Sequence, residues 1–152
     1  MKKIMFVCTG NICRSAMAHH YMQKKINEMK KEEEVVISSC GTSANPNEKS
    51  TTNAIECMKV YDTDLTNHRA INMFEIDIEN YDLIFCMTNQ HKNSVLFNFP
   101  KLKGKVYTLK EYNSVNDNEN VDIDDPWGYS MSIYEACSKE IVENVDKFLK
   151  KL

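Results

Sequence analysis

The run Cys8-Thr9-Gly10-Asn11-Ile12-Cys13-Arg14-Ser15 puts a thiol, a guanidinium and a hydroxyl into one short segment. It follows Ile4-Met5-Phe6-Val7, an unbroken apolar run suited to a strand buried on both faces. It precedes a helical pattern in which Ala16, Met17, His20, Tyr21 and Ile26 recur near the helical period, with Ser15 as the expected N-cap. A loop between strand and helix aims several main-chain N–H groups and the positive end of a helix dipole at one point, which makes an anion cradle. The two-glycine and lysine spacing of a nucleotide-binding P-loop is missing. A cysteine at the centre of such a cradle is favoured as the thiolate, which is the nucleophilic form. Gly10 and Asn11 tolerate left-handed backbone, so the loop can close tightly. Arg14 would complete the ring and offer paired donors to an oxyanion, and Ser15 would donate to the sulfur. The chemistry that follows is transfer of a phosphoryl group to Cys8, with no metal and no cofactor required.

A second constellation lies near the other end, at Asp125-Pro126-Trp127-Gly128. A departing oxygen needs a proton, and a carboxylic acid beside a cleft supplies one. The same carboxylate can then activate water against the thiophosphate. Pro126 biases Asp125 toward extended backbone at a loop edge. Asp122 and Asp124 compete for the role, but read more simply as parts of a solvated acidic loop. Trp127, the only tryptophan, would offer an aromatic wall that favours a ring-bearing substrate.

Positioning these groups requires an alternating scaffold. Apolar runs at Ile4–Val7, 35–39, 81–87 and 105–109 read as strands. Helical patterns follow at 15–26, 52–60, 89–97 and 130–152, with a short helix expected at 73–78 and a polar, acidic loop at 113–125. Strand and helix in alternation predict an α/β chain of one domain, residues 1–152, with a parallel sheet and helices on both faces. Ligands of such sheets bind beyond the carboxyl ends of the strands, where Cys8 lies. The charged stretch 24–34 reads as a solvated helix end and turn.

Composition narrows the remaining classes. The 152 residues carry a net charge of -3, which speaks against a dedicated nucleic-acid binder. No apolar stretch nears the roughly 20 residues that span a bilayer, and no signal peptide is visible, so a cytoplasmic protein is expected. Of the six cysteines, four read as buried free thiols. His19, His20 and His91 read as surface or boundary residues without metal-site spacing.

The segment Cys8 to Ser15 resembles the phosphate-binding loop of the low-molecular-weight protein tyrosine phosphatases, and Asp125-Pro126-Trp127-Gly128 resembles that family's second signature. The resemblance covers the whole chain. It implies a flavodoxin-like, four-stranded parallel sheet with the phosphate loop between the first strand and first helix. It implies Cys8 as nucleophile, Arg14 as phosphate ligand and Asp125 as general acid, with Thr9, Gly10, Asn11, Ile12, Cys13 and Ser15 also around the phosphate. Asn11 would hold the loop's strained shape, Ser39 and His68 would support it from behind, and Cys13 would form a reversible disulfide with Cys8. Expected partners are phosphotyrosine proteins or peptides and inorganic phosphate, with no nucleic acid or membrane, and the chain is expected to be a monomer.

Departures from the family pattern include Ala16, His19 where an acid is frequent, Thr88 where an aspartate often orients the loop arginine, and a 42–49 loop without an aromatic residue. Three rival readings share the scaffold. An arsenate reductase needs two more cysteines soon after the third strand, and none follows Cys86 until Cys137. A protein-arginine phosphatase usually has threonine where Ile12 stands. A non-catalytic phosphotyrosine-binding module would have lost cysteine, arginine or acid, and all three are present.

Overall fold

The computed structural model describes residues 1–114 and 120–152. Strand β1 (Lys2–Cys8) leads through the loop into helix α1 (Arg14–Glu28), then β2 (Val35–Gly41), α2 (Thr52–Met58), β3 (Leu83–Cys86), α3 (Asn89–Asn98), β4 (Val106–Thr108), α4 (Leu109–Asn113) and α5 (Met131–Leu149). The four strands form one parallel sheet in the order β2-β1-β3-β4. The chain moves outward one way from β1 to β2 and the other way from β3 to β4. The switch therefore falls between β1 and β3, and a crevice opens at their carboxyl ends. Cys8 is the last residue of β1.

Alternation along β1 divides the core. Ile4, Phe6 and Cys8 face one apolar layer with Met17, Met22, Ile141 and Phe148, from α1 and α5. Met5 and Val7 face the other with Ile84, Val95 and Val106. Both faces of the central strand are thus dry, which accounts for its unbroken apolar run. Phe85 anchors the first layer by edge contacts to Phe148 and Tyr112, with ring centroids 4.9 and 5.1 Å apart.

Local details correct the sequence reading in three places. Helix α1 starts at Arg14 with Cys13 at the N-cap position, and Ser15 does not cap it, because the serine hydroxyl is used on Cys8. The helix expected at 73–78 is absent. Asn72 Oδ1 accepts the N–H of Phe74, and Glu75 Oε1 accepts the N–H of Asn72, side-chain bonds that compete with helical ones. A 3-10 turn, Ile78–Asn80, follows instead. Leu109 belongs to α4 rather than to the fourth strand. Thr108 and Glu111 close a capping box there, and the Thr-x-x-Glu spacing that signals it is plain in the sequence. The expected 113–125 loop lies partly outside the described residues.

Gly41 ends β2 directly behind the Cys8 loop. A Cβ there would stand 2.3 Å from the Thr9 carbonyl oxygen and 2.9 Å from the Asn11 nitrogen. The backbones approach too closely for any side chain. Gly41→Ala should therefore lower the free energy of unfolding by about 1–3 kcal/mol, read as a lower urea midpoint. An unchanged midpoint would mean that the loop has room to shift.

Candidate active site

The loop leaving β1 folds back over its own first residue. Asn11 has φ of 55°, the left-handed region, which turns its N–H inward to Cys8 Sγ at 3.3 Å. Left-handed backbone costs a non-glycine residue on the order of 1 kcal/mol, and the surroundings hold it in place. Asn11 Oδ1 accepts the N–H of Ile71 at 2.9 Å. That fixes the amide's orientation, so its Nδ2 donates to Ser15 Oγ at 2.8 Å. Ser15 Oγ lies 2.9 Å from Cys8 Sγ and 3.5 Å from the Cys40 carbonyl oxygen, so its hydroxyl is placed to donate to the sulfur. Asn11, Ser15 and Cys8 are all buried.

A histidine relay supports the loop from behind. The Asn11 carbonyl can only accept, so His68 Nε2, 2.6 Å away, carries the hydrogen. His68 Nδ1 is then an acceptor and receives the Nε2–H of His20 at 2.8 Å. His19 stacks on His20 with centroids 4.2 Å apart, and its Nδ1 lies 2.8 Å from Ser39 Oγ. Ser39 was expected to bond the loop; it reaches His19 instead. His19 and His20 read from the sequence as surface or boundary residues, and the fold brings them together with His68. Burial, reinforced by the neighbouring imidazoles, lowers His19 to about 3 and His20 to about 4, and burial lowers His68 as well.

Arg14 is buried, and its Nη1 donates to the Ile123 carbonyl at 2.9 Å. Ile123 is itself fully buried and donates its N–H to Met87 just past β3. This one apolar residue in an acidic run ties the Asp125 segment both to the sheet and to the arginine. Asp125 Oδ1 accepts the N–H of Trp127 at 3.0 Å, while Oδ2 lies 3.6 Å from Arg14 Nη2. Asp122 serves differently, accepting the N–H of Asn89. Asp124 is exposed.

These groups surround a cavity of about 390 Å³. Cys8, Gly10 and Arg14 line it, Ile12 and Trp127 flank it, and Asn45, Glu48 and Asp125 bring polar groups. Asn45 and Glu48 come from the loop without an aromatic residue, and nothing in the sequence singled them out. Cys13 also lines the cavity; its Sγ lies 3.4 Å from Tyr134 Oη and 3.5 Å from Thr51 Oγ1, and burial pushes the thiol up. All six cysteines are buried and unpaired. The Cys8 sulfur, the Arg14 side chain and the Asp125 carboxyl thus line one cavity.

The lowered histidines make stability depend on pH. An unfolded chain protonates histidine near 6.5, whereas the folded chain holds His19 and His20 neutral to about 3 and about 4. Between those values the unfolded state binds more protons, so stability is complete above about 6.5 and falls as pH drops. The urea midpoint should decline from pH 7 to pH 5, and His20→Gln should flatten that decline. Equal midpoints at both pH values would contradict a neutral relay.

The sequence and fold of the chain are similar to those of known proteins. Residues 3–152 match the family model described as low molecular weight phosphotyrosine protein phosphatase. A protein-arginine-phosphatase of Bacillus subtilis (strain 168) is 38% identical over 149 residues, covering 98% of this chain and 95% of that protein. A low molecular weight protein-tyrosine-phosphatase, PtpB, of Staphylococcus epidermidis is 33% identical over 145 residues, covering 95% of each. Among solved structures, a low molecular weight protein tyrosine phosphatase from T. tengcongensis superimposes with a TM-score of 0.90 at 31% identity, covering all of both chains. A YwlE arginine phosphatase bearing a phosphorylated active-site serine gives 0.89 at 34%, covering 99% of this chain and 95% of that one. Matched by the family model over residues 3–152 and by relatives and solved structures along nearly its whole length, the chain belongs to the low molecular weight phosphotyrosine protein phosphatase family of enzymes.

Proposed function

We propose that this phosphatase hydrolyses phosphotyrosine through a cysteinyl-phosphate intermediate, with Cys8 as nucleophile, Arg14 as phosphate ligand and Asp125 as general acid and then base. The reading is carried by one observation: the Cys8 sulfur, the Arg14 guanidinium and the Asp125 carboxyl line the same cavity. Cys8 Sγ attacks phosphorus as the bond to the tyrosine oxygen breaks, and that oxygen takes the proton of Asp125. The Asp125 carboxylate then removes a proton from water as the water oxygen attacks phosphorus. The S–P bond breaks, and inorganic phosphate leaves with the thiolate restored. Main-chain amides and Arg14 hold the equatorial oxygens throughout, where charge stabilisation counts most. Asp125 Oδ2 is the oxygen suited to the proton, since Oδ1 is held by the Trp127 amide.

Ile12 and Trp127 flank the cavity with apolar and aromatic surface, which favours a substrate ring. A second reading, phosphoarginine, is favoured by the arginine phosphatases among the relatives and by the Glu48 and Asp125 carboxylates at the cavity, which suit a guanidinium. Ile12 speaks against it. Six unpaired thiols suit the reducing cytoplasm, and we assign the chain there as a monomer acting on phosphorylated proteins. Cys13 is assigned as the redox partner that shields Cys8.

Cys8→Ser should abolish hydrolysis of p-nitrophenyl phosphate while leaving the fold and phosphate binding in place; residual turnover would remove Cys8 as nucleophile. Asp125→Ala should slow turnover of phosphotyrosine by roughly 10²–10⁴-fold, and that of a substrate with a better leaving group far less. Equal losses would remove the acid role. Phosphotyrosyl and phosphoarginyl peptides compared side by side decide the substrate, with the higher kcat/KM expected for phosphotyrosine.

A further inference from the structure

His91 reads from the sequence as a surface or boundary residue, and the structure buries it to 4% exposure. It sits in the first turn of α3 with both ring nitrogens engaged. Nδ1 lies 3.0 Å from Thr88 Oγ1 and Nε2 lies 2.7 Å from Thr9 Oγ1. The Thr88 oxygen already accepts the main-chain N–H of His91 at 3.2 Å as the cap of α3. Its own hydrogen can be given to His91 Nδ1. When Nδ1 takes that hydrogen, Nε2 of the neutral imidazole carries the other one, toward Thr9. Burial, with the Arg14 charge nearby, lowers His91 to about 4, so the neutral ring is the form at work near pH 7.

In that tautomer the Nε2–H occupies one lone pair of the Thr9 oxygen, 2.7 Å away, and leaves the hydroxyl hydrogen free. Thr9 lines the same cavity as Cys8, Gly10 and Arg14. We propose that His91 is a positioning residue that orients the Thr9 hydroxyl as an additional donor to a phosphoryl oxygen. The inference rests on the loop being the phosphate cradle. It assigns a task to the His91–Thr88 pair at the place where many relatives of this fold carry an aspartate. Here the His91 ring is neutral, and the anchoring runs through a hydroxyl of the loop. Such a hydrogen bond to a charged oxygen is worth roughly a tenfold change in affinity.

The test measures orthovanadate inhibition, KM and kcat with p-nitrophenyl phosphate for the parent protein and a set of variants. Thr9→Val should raise the vanadate Ki and KM roughly tenfold with a smaller change in kcat, and Thr9→Ser should stay near the parent. His91→Phe should weaken vanadate by a similar factor, His91→Gln should recover most of it through its side-chain N–H, and His91→Phe in the Thr9→Val background should add nothing. The proposal is overturned if Thr9→Val inhibits like the parent, or if the two losses multiply. Should His91→Phe not fold, nitrogen NMR of the unmodified protein reads the tautomer directly: an Nε2–H ring is expected, and an Nδ1–H ring would overturn the proposal. A parent enzyme insensitive to vanadate would instead overturn the cradle itself, which separates the two failures.

Discussion

A sulfur anion and a phosphoryl group both need hydrogen-bond donors converging from several directions, and here one residue's backbone sets that convergence. Asn11 adopts the left-handed conformation, which turns its own N–H toward Cys8. Every neighbour that touches Asn11 serves to keep it there. Ile71 holds the amide oxygen, His68 holds the carbonyl, and the amide nitrogen fixes Ser15. The strain is small next to the total of these bonds, so the loop is built in its working shape before any ligand arrives. Preorganised donors need no rearrangement as charge develops, which is where such sites gain most of their rate.

The acid reaches this cradle through packing rather than through chain proximity. Asp125 lies more than a hundred residues beyond Cys8, on a segment largely without regular structure. Ile123 is the tether: its side chain is buried, its N–H bonds the end of β3, and its carbonyl receives Arg14. The same guanidinium is thereby oriented and placed beside the Asp125 carboxyl. A buried arginine is tolerable because its N–H groups find oxygen partners and one edge faces the cavity. The aspartate expected to orient it is replaced by Thr88, and a main-chain carbonyl does that work instead.

Neutral imidazoles recur around the loop. His68, His20 and His19 stand behind it, and His91 stands beside Thr9. His68 and His91 engage both ring nitrogens, His19 and His20 one each, and all four serve as hydrogen-bonding groups rather than as charges. That choice avoids burying further charges near Arg14 and Asp125, which would be costly without partners. It also makes the scaffold sensitive to acid, since protonation removes the acceptor nitrogen on which each relay depends.

The sequence by itself determined the alternating α/β order and the buried central strand, and it pointed to the chemistry proposed for the Cys8 loop, because each is written in short-range patterns. Apolar runs specify buried strands, and a thiol, an arginine and a small-residue turn at a strand–helix junction specify an anion cradle. The capping box at Thr108 and Glu111 was equally legible, and the strand reading merely ran past it. Only the tertiary structure decided which distant groups serve that cradle. His19 and His20 carry no sequence signal, since their partner His68 arrives from a loop 48 residues after His20. His91 meets Thr9 across 82 residues, and Ile123 meets Arg14 across 109. Hydrogen-bond networks of this kind depend on which strand ends the sheet order sets side by side, and local patterns of residue type do not encode that.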